Sequence, residues 1–149
     1  MANAIYWDTS ALLKLYAPEA DSSDYRQLLI SQPEDVAISV LHHVELYFAL
    51  RGKESRDEIA VGSAKNLFES FEAHVRAGRY RVIPWREDVA FEARQLLDHC
   101  MSAAPPLMLR SLDGLHLGAL RAAKITGIVT SDLRMRHVAA AASIAAIEP

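Results

Sequence analysis

Short apolar runs alternate along this chain with longer stretches in which apolar residues return every three or four positions, the spacings of strands and helices respectively. The first run, Ala4-Ile5-Tyr6-Trp7, is rich in branched and aromatic residues and stops at Asp8-Thr9-Ser10, all types favoured at helix N-caps. A strand, a turn and a helix are predicted there, with Ala11, Leu12, Leu15 and Tyr16 facing inward and an end near Pro18. A second helix follows from Asp21 to Gln32, closed by Pro33. Val36-Ala37-Ile38 reads as a buried strand, and the next helix runs from about Val40 to Leu50, where Gly52 is expected to terminate it. Ala60, Ala64, Leu67, Phe68, Phe71 and Val75 form the apolar stripe of a long amphipathic helix. This stripe reads first as core packing and second as part of a groove for a partner helix.

Arg81-Val82-Ile83-Pro84 reads as a short strand near a sheet edge, because proline is poorly tolerated centrally, and Asp88 to Cys100 as a further helix. Pro105-Pro106 marks Ala103 to Arg110 as a loop. Ser111 opens a helix carrying Leu115, Leu117, Leu120 and Ala123, with Gly127 at its end. Ile128-Val129-Thr130 reads as a strand, Ser131-Asp132 as the cap of the helix after it, and Ser143 to Ile147 as a last strand. Strands alternating with helices predict an α/β fold of three layers, a central, mostly parallel sheet of four to five strands flanked by helices. No internal repeat or linker divides residues 1–149, so one domain is expected.

Composition narrows this picture. At 149 residues, 51% hydrophobic and 23% charged, the chain is long enough to stand on one core without disulfides or a structural metal. Cys100 is the sole cysteine and reads as a core thiol, which makes a reducing cytoplasm the expected location. The Ala-rich run from Val138 to Ala146 is about half the length of a membrane span, and the N-terminus lacks a signal-peptide pattern, so neither membrane nor export is expected. A net charge of −3 removes bulk attraction as a route to a polyanion. A nucleic-acid partner then requires local charge or a metal ion.

Four acids carry the candidate chemistry. In an open parallel α/β sheet, ligands bind beyond the carboxyl ends of the strands, and Asp8 and Asp132 each directly follow a predicted strand. Either one alone reads equally well as a helix N-cap. Glu45 has Leu41, His42, Phe48 and Ala49 at its helical neighbour positions, a mostly apolar face on which an ionised carboxylate needs a cation or a hidden arginine. Asp113 sits in the first turn of its helix, where the dipole favours an acid, and His116 one turn on is a candidate local partner. Taken together, converging carboxylates repel unless a cation joins them, and oxygen-only ligands suit Mg²⁺ or Mn²⁺.

The segments IYWDTSALLKLY, LHHVELYFAL, LRSLDGLHLGAL and TSDLRM, in this order and spacing, resemble the PIN-domain nucleases, and in size the chain is similar to the VapC-type toxins of prokaryotic toxin–antitoxin pairs. The resemblance covers nearly the whole chain. It implies a metal-dependent ribonuclease in which Asp8, Glu45, Asp113 and Asp132 are the catalytic metal ligands, with Ser10 and Thr130 as polar groups supporting them. It also implies an RNA substrate, a small antitoxin protein that blocks the site, and a homodimer. Gly114 departs from the alanine often found after the third acid, which weakens the expected helix, and the short final segment weakens the expected last strand.

Arg110 and Arg134 flank the third and fourth acids and are candidate RNA contacts, while Arg51, Lys53 and Arg56 read as solvated surface or as a basic frame. Tyr6 and Trp7 read as core rather than as a base-stacking platform. Three rivals stand beside the nuclease reading. A small-molecule phosphatase of the haloacid-dehalogenase kind needs a second aspartate where this chain has Ser10. The i,i+3 pairs His42/Glu45 and Asp113/His116 resemble transition-metal bundle ligands. A catalytically inactive RNA- or protein-binding domain on the same fold is the third.

Overall fold

A computed structural model describes residues 3–149. Five strands, β1 (Ala4–Trp7), β2 (Asp35–Ser39), β3 (Arg81–Ile83), β4 (Gly127–Val129) and β5 (Ala145–Ile147), form one sheet in the order β3-β2-β1-β4-β5. Every pairing in it is parallel. Seven helices connect the strands: α1 (Thr9–Tyr16), α2 (Ser22–Ser31), α3 (Leu41–Ser55), α4 (Ser63–Arg76), α5 (Glu87–Met101), α6 (Ser111–Ala122) and α7 (Leu133–Ala141).

Successive strand residues point to opposite faces, and here both faces are covered, which is why the strands read as unbroken apolar runs. Trp7, Val36, Ile38 and Val129 pack with Leu12 of α1, Leu46 and Leu50 of α3 and Phe71 of α4. Tyr6, Ala37 and Ile128 pack on the other side with Leu96 of α5, Leu117 and Leu120 of α6 and Met135 of α7. The expected three-layer arrangement follows, with Cys100 buried in the second of these cores. Among the described residues no helix is long and apolar enough to cross a membrane.

The sheet grows one way from β1 to β2 and β3 and the other way to β4 and β5, so the order in which strands are added reverses at the boundary between β1 and β4. The loops leaving those two adjacent strands diverge and open a crevice at their carboxyl ends. Asp8 leaves β1 and Asp132 follows β4, with the Asp8 N–H still donating to the Val129 carbonyl at 3.1 Å.

Several boundaries differ from the sequence reading. Gly52 does not end α3, which continues to Ser55; Arg51–Glu54 and the pairs of Lys53 with Glu19 and Glu58 hold its last turn. The α4 stripe begins at Ala64 rather than Ala60; Ala64 and Phe71 are buried in the core, and Leu67, Phe68 and Val75 are half-buried against it. Gly127 opens β4, whereas α6 stops at Ala122 and the turn after it places Lys124 at φ 58°. β3 is an edge strand, in keeping with Pro84 directly after it.

Gly114 lies on α6 where an added Cβ would meet Leu109 Cδ2 at 3.5 Å and Ala93 Cβ at 3.9 Å, ordinary van der Waals contact. Gly114→Ala is therefore expected to stabilise the fold by about 0.5–1 kcal/mol through helix propensity alone. Thermal unfolding should show a higher midpoint; a lower one would mean that Leu109 cannot accommodate the methyl group.

Candidate active site

Asp8 and Asp132 are both helix N-caps, and each divides its two oxygens between capping and the crevice. Asp8 Oδ1 accepts from the Ala11 N–H of α1 at 3.0 Å and from the Ser10 hydroxyl at 2.7 Å; Oδ2 accepts from Thr130 Oγ1 at 2.5 Å. Asp132 Oδ1 accepts from the Arg134 N–H of α7 at 2.9 Å, while Oδ2 lies 3.6 Å from Arg110 Nη2. Capping and a role in the crevice are thus compatible for the same residue.

Thr130, one residue beyond β4, is buried and joins the two loops: it donates to Asp8 and accepts from the Asp132 N–H at 3.1 Å. Ser10 Oγ likewise accepts from the Ser131 N–H at 3.1 Å and lies 3.3 Å from Thr130 Oγ1. Burial pushes the Asp8 carboxyl up, and the donors from Thr130, Ser10 and Ala11 pull it back without cancelling the effect.

Glu45 reaches the same crevice from α3. Its Oε1 accepts from Thr9 Oγ1 at 3.0 Å and from His116 Nε2 of α6. Burial pushes this carboxyl up as well, but His116 and Thr9 more than offset it and leave it below the usual carboxylate range. Of the neighbours inferred for Glu45, His42 is buried and Leu41 and Ala49 are half-buried, but Phe48 is 72% exposed; the buried face of α3 is His42, Leu46 and Leu50. Glu45 stands at the margin of that face.

Asp113 does not pair with His116 but with Arg110, whose Nε donates to Oδ2 at 2.9 Å. The Arg110 guanidinium lies between Asp113 and Asp132, and these two acids, with Glu45 more distantly, hold its proton more firmly than usual. A circuit of polar contacts and chain links therefore joins all four acids: contacts run from Asp8 through Thr130 to Asp132 and through Arg110 to Asp113, and from His116 through Glu45 to Thr9, while Asp113 and His116 are joined only by one turn of α6 and Thr9 and Asp8 only by adjacency in the chain. These contacts place the four acids along the carboxyl-end edge of the sheet. Among the described residues no three His, Cys, Asp or Glu side chains close on a single point as a metal shell, because each acid is turned toward a local donor. The donor set itself suits a hard divalent cation: four carboxylates, oxygen only, one of them desolvated.

Two histidines beside the acids are buried. His42 is held neutral by burial, its pKa pushed down to about 3. Its Nε2–H donates to the Trp7 carbonyl at 2.7 Å and its Nδ1 accepts from the Ser39 N–H at 3.0 Å, pinning the end of β1 to the start of α3. His116 is the other. With both ring nitrogens of each engaged, the i,i+3 pairs do not form transition-metal sites. Arg51 pairs with Glu54, Lys53 with Glu19 and Glu58, and Arg56 with Glu58, while Arg51 and Arg56 stay exposed, as solvated surface residues do. Arg134 is exposed at the start of α7, next to Asp132.

The PIN domain family model matches residues 5–141, and the chain belongs to the PIN-domain family. A ribonuclease named VapC47 from Mycobacterium tuberculosis is 33% identical over 138 residues, covering 88% of this chain and 86% of the relative. The FitAcB structure from Neisseria gonorrhoeae superposes with a TM-score of 0.73 at 19% identity, covering 97% of each chain. A chain of a toxin–antitoxin complex from Klebsiella pneumoniae gives 0.59 at 15% identity, covering 89% of each.

Proposed function

We propose that this protein is a divalent-metal-dependent ribonuclease that hydrolyses RNA phosphodiester bonds and serves as the toxin of a toxin–antitoxin pair. Asp8, Glu45, Asp113 and Asp132 hold Mg²⁺ or Mn²⁺; Ser10 and Thr130 orient Asp8; Arg110 and Arg134 contact RNA phosphates at the rim. The observation that carries this reading is the circuit joining four acids, distant in sequence, at the switch point of a parallel sheet. The 33% identity to a named ribonuclease supports the choice of RNA.

A bound Mg²⁺ or Mn²⁺ activates a water and stabilises the charge that develops in phosphodiester displacement. The protein's part is to assemble anionic oxygens that would otherwise repel, and to keep Asp8 out of bulk water. Arg110 and His116 supply the positively polarised donors that offset these acids within the fold. An RNA phosphate entering the crevice meets Arg110 and Arg134, which favour the backbone without reading sequence.

The antitoxin is a small protein that covers the crevice. Exposed Val44 and Phe48, one turn apart on the helix that bears Glu45, give it apolar surface beside the acids. A homodimer completes the proposed assembly, located in the cytoplasm.

The test is cleavage of a labelled single-stranded RNA by purified protein. Activity should appear with Mg²⁺ or Mn²⁺, vanish in EDTA and return when the metal is restored. Cleavage that persists in EDTA would remove the metal from the mechanism. Expression that leaves cells unharmed, together with no bound small partner, would remove the toxin assignment.

A further inference from the structure

Behind Glu45 a line of polar side chains runs into the interior where the sequence reads as apolar strand and helix. Ser39, Tyr6 and His116 are each at most 2% exposed. The Tyr6 hydroxyl lies 3.0 Å from Ser39 Oγ and 2.6 Å from His116 Nδ1, and His116 Nε2 bonds Glu45 Oε1. A carboxylate only accepts, so Nε2 carries a proton; a hydroxyl both donates and accepts, so Tyr6 satisfies Nδ1 in any protonation state. The imidazole packs edge-on against Tyr6 and His42, with ring centroids 5.7 and 5.0 Å away, which prevents it from turning.

Both donors to Glu45, Thr9 Oγ1 and His116 Nε2, converge on the same oxygen, Oε1. Among the described residues Oε2 has no protein donor. A half-buried carboxylate fixed through one oxygen presents the other in a defined direction, which a ligand oxygen needs and a free side chain lacks.

We propose that His116 is a positioning residue for Glu45: locked by Tyr6, Ser39 and His42, it holds Oε1 so that Oε2 faces the crevice. The inference rests on the reading of Glu45 as a metal ligand given above. His116 touches neither RNA nor ion in this role and acts through Glu45 alone. Outer partners of this kind typically change metal affinity or activity by about 10–100-fold when removed.

The test compares His116→Leu, which fills the space without a donor, with His116→Gln, which restores an N–H directed at Glu45. Mn²⁺ binding is measured by calorimetry, and RNA cleavage as kcat and KM. His116→Leu should weaken Mn²⁺ binding and lower kcat by about 10-fold or more with KM for RNA little changed. His116→Gln should recover most of both, and Tyr6→Phe should fall between. Equal losses in the Leu and Gln variants would reduce His116 to packing and overturn the proposal. Crystal structures of the metal-free variants keep the question separate from the nuclease reading. A Glu45 carboxylate that swings away in His116→Leu and returns in His116→Gln supports positioning even if the wild type binds no Mn²⁺, an outcome that would count against the metal site alone. A carboxylate unmoved in His116→Leu overturns positioning whatever the activity.

Discussion

Asp8→Asn should lower RNA cleavage by about 10²-fold or more while leaving the fold at least as stable as the wild type in the absence of divalent ions. The first half follows from the several kcal/mol that a bound cation contributes to phosphoryl chemistry and from 1.36 kcal/mol per tenfold in rate. The second half follows from the environment of the carboxylate. Asp8 is almost fully buried, and desolvation leaves its pKa raised despite three donors. An amide of the same shape keeps the Ala11 and Ser10 bonds on its oxygen and turns a donor toward Thr130 Oγ1. It does so without a desolvated charge.

The pH dependence has a definite sign. Because the folded state holds the Asp8 proton more tightly than the unfolded chain, the stabilisation from protonation is fully present below the unfolded value near 4 and is lost as pH rises through the higher folded value. The wild type thus carries an uncompensated cost at neutral pH that Asp8→Asn lacks. The two melting temperatures should converge in acid. Adding Mn²⁺ should raise the wild-type melting temperature by ligand linkage and leave that of Asp8→Asn nearly unchanged. Cleavage by Asp8→Asn at the wild-type rate would assign the activity elsewhere. A variant that unfolds at neutral pH would make Asp8 structural.

This division between stability and chemistry explains which parts of the site were legible in the sequence. Asp8 and Asp132 stand directly after apolar runs, and the parallel sheet that those runs imply brings strand ends to one edge, so local pattern and topology gave the same answer. The interior line of Ser39, Tyr6 and His116 left no such trace. Tyr6 is as apolar as its neighbours in a strand pattern, and its hydroxyl acquires a role only because β1 lies beside β2, which carries Ser39, and packs against α6, which carries His116. Glu45 was assigned to the crevice partly through Phe48, which is exposed; the inward pull comes from Thr9 and His116, residues 36 and 71 positions away. Periodicity reports which face of a helix is apolar, and a surface reserved for another protein carries the same signal as a core. Gly52 was misread for a related reason: the ion pairs that carry α3 past it are set by Glu19 and Glu58, whose positions depend on the fold.

Gly118→Ala should be the most damaging of the small substitutions, in contrast with the gain expected at Gly114 one turn earlier on α6. A Cβ at position 118 would stand 2.6 Å from the Val89 carbonyl oxygen, 3.0 Å from the Ala93 nitrogen and 3.2 Å from Ala93 Cβ. The first two are backbone atoms of α5, so no rotamer change relieves the overlap and the helices must separate. Overpacking of this kind costs about 1–3 kcal/mol and sometimes more. Helix propensity returns up to ~1 kcal/mol of that, so a net loss of about 1–2 kcal/mol and a melting temperature lower by a few degrees are expected. The helix pair α5 and α6 is the most extensively packed in the molecule, and α6 also carries Asp113 and His116. A displacement that separates the helices therefore moves Asp113 and His116, together with the N-cap residue Arg110, relative to Asp132 and Glu45. Activity should fall further than the unfolded fraction explains, measured as kcat at a temperature where the variant remains folded. If the variant melts with the wild type and cleaves RNA at the same rate, close approach of the two helices is not what sets the position of Asp113 in the crevice.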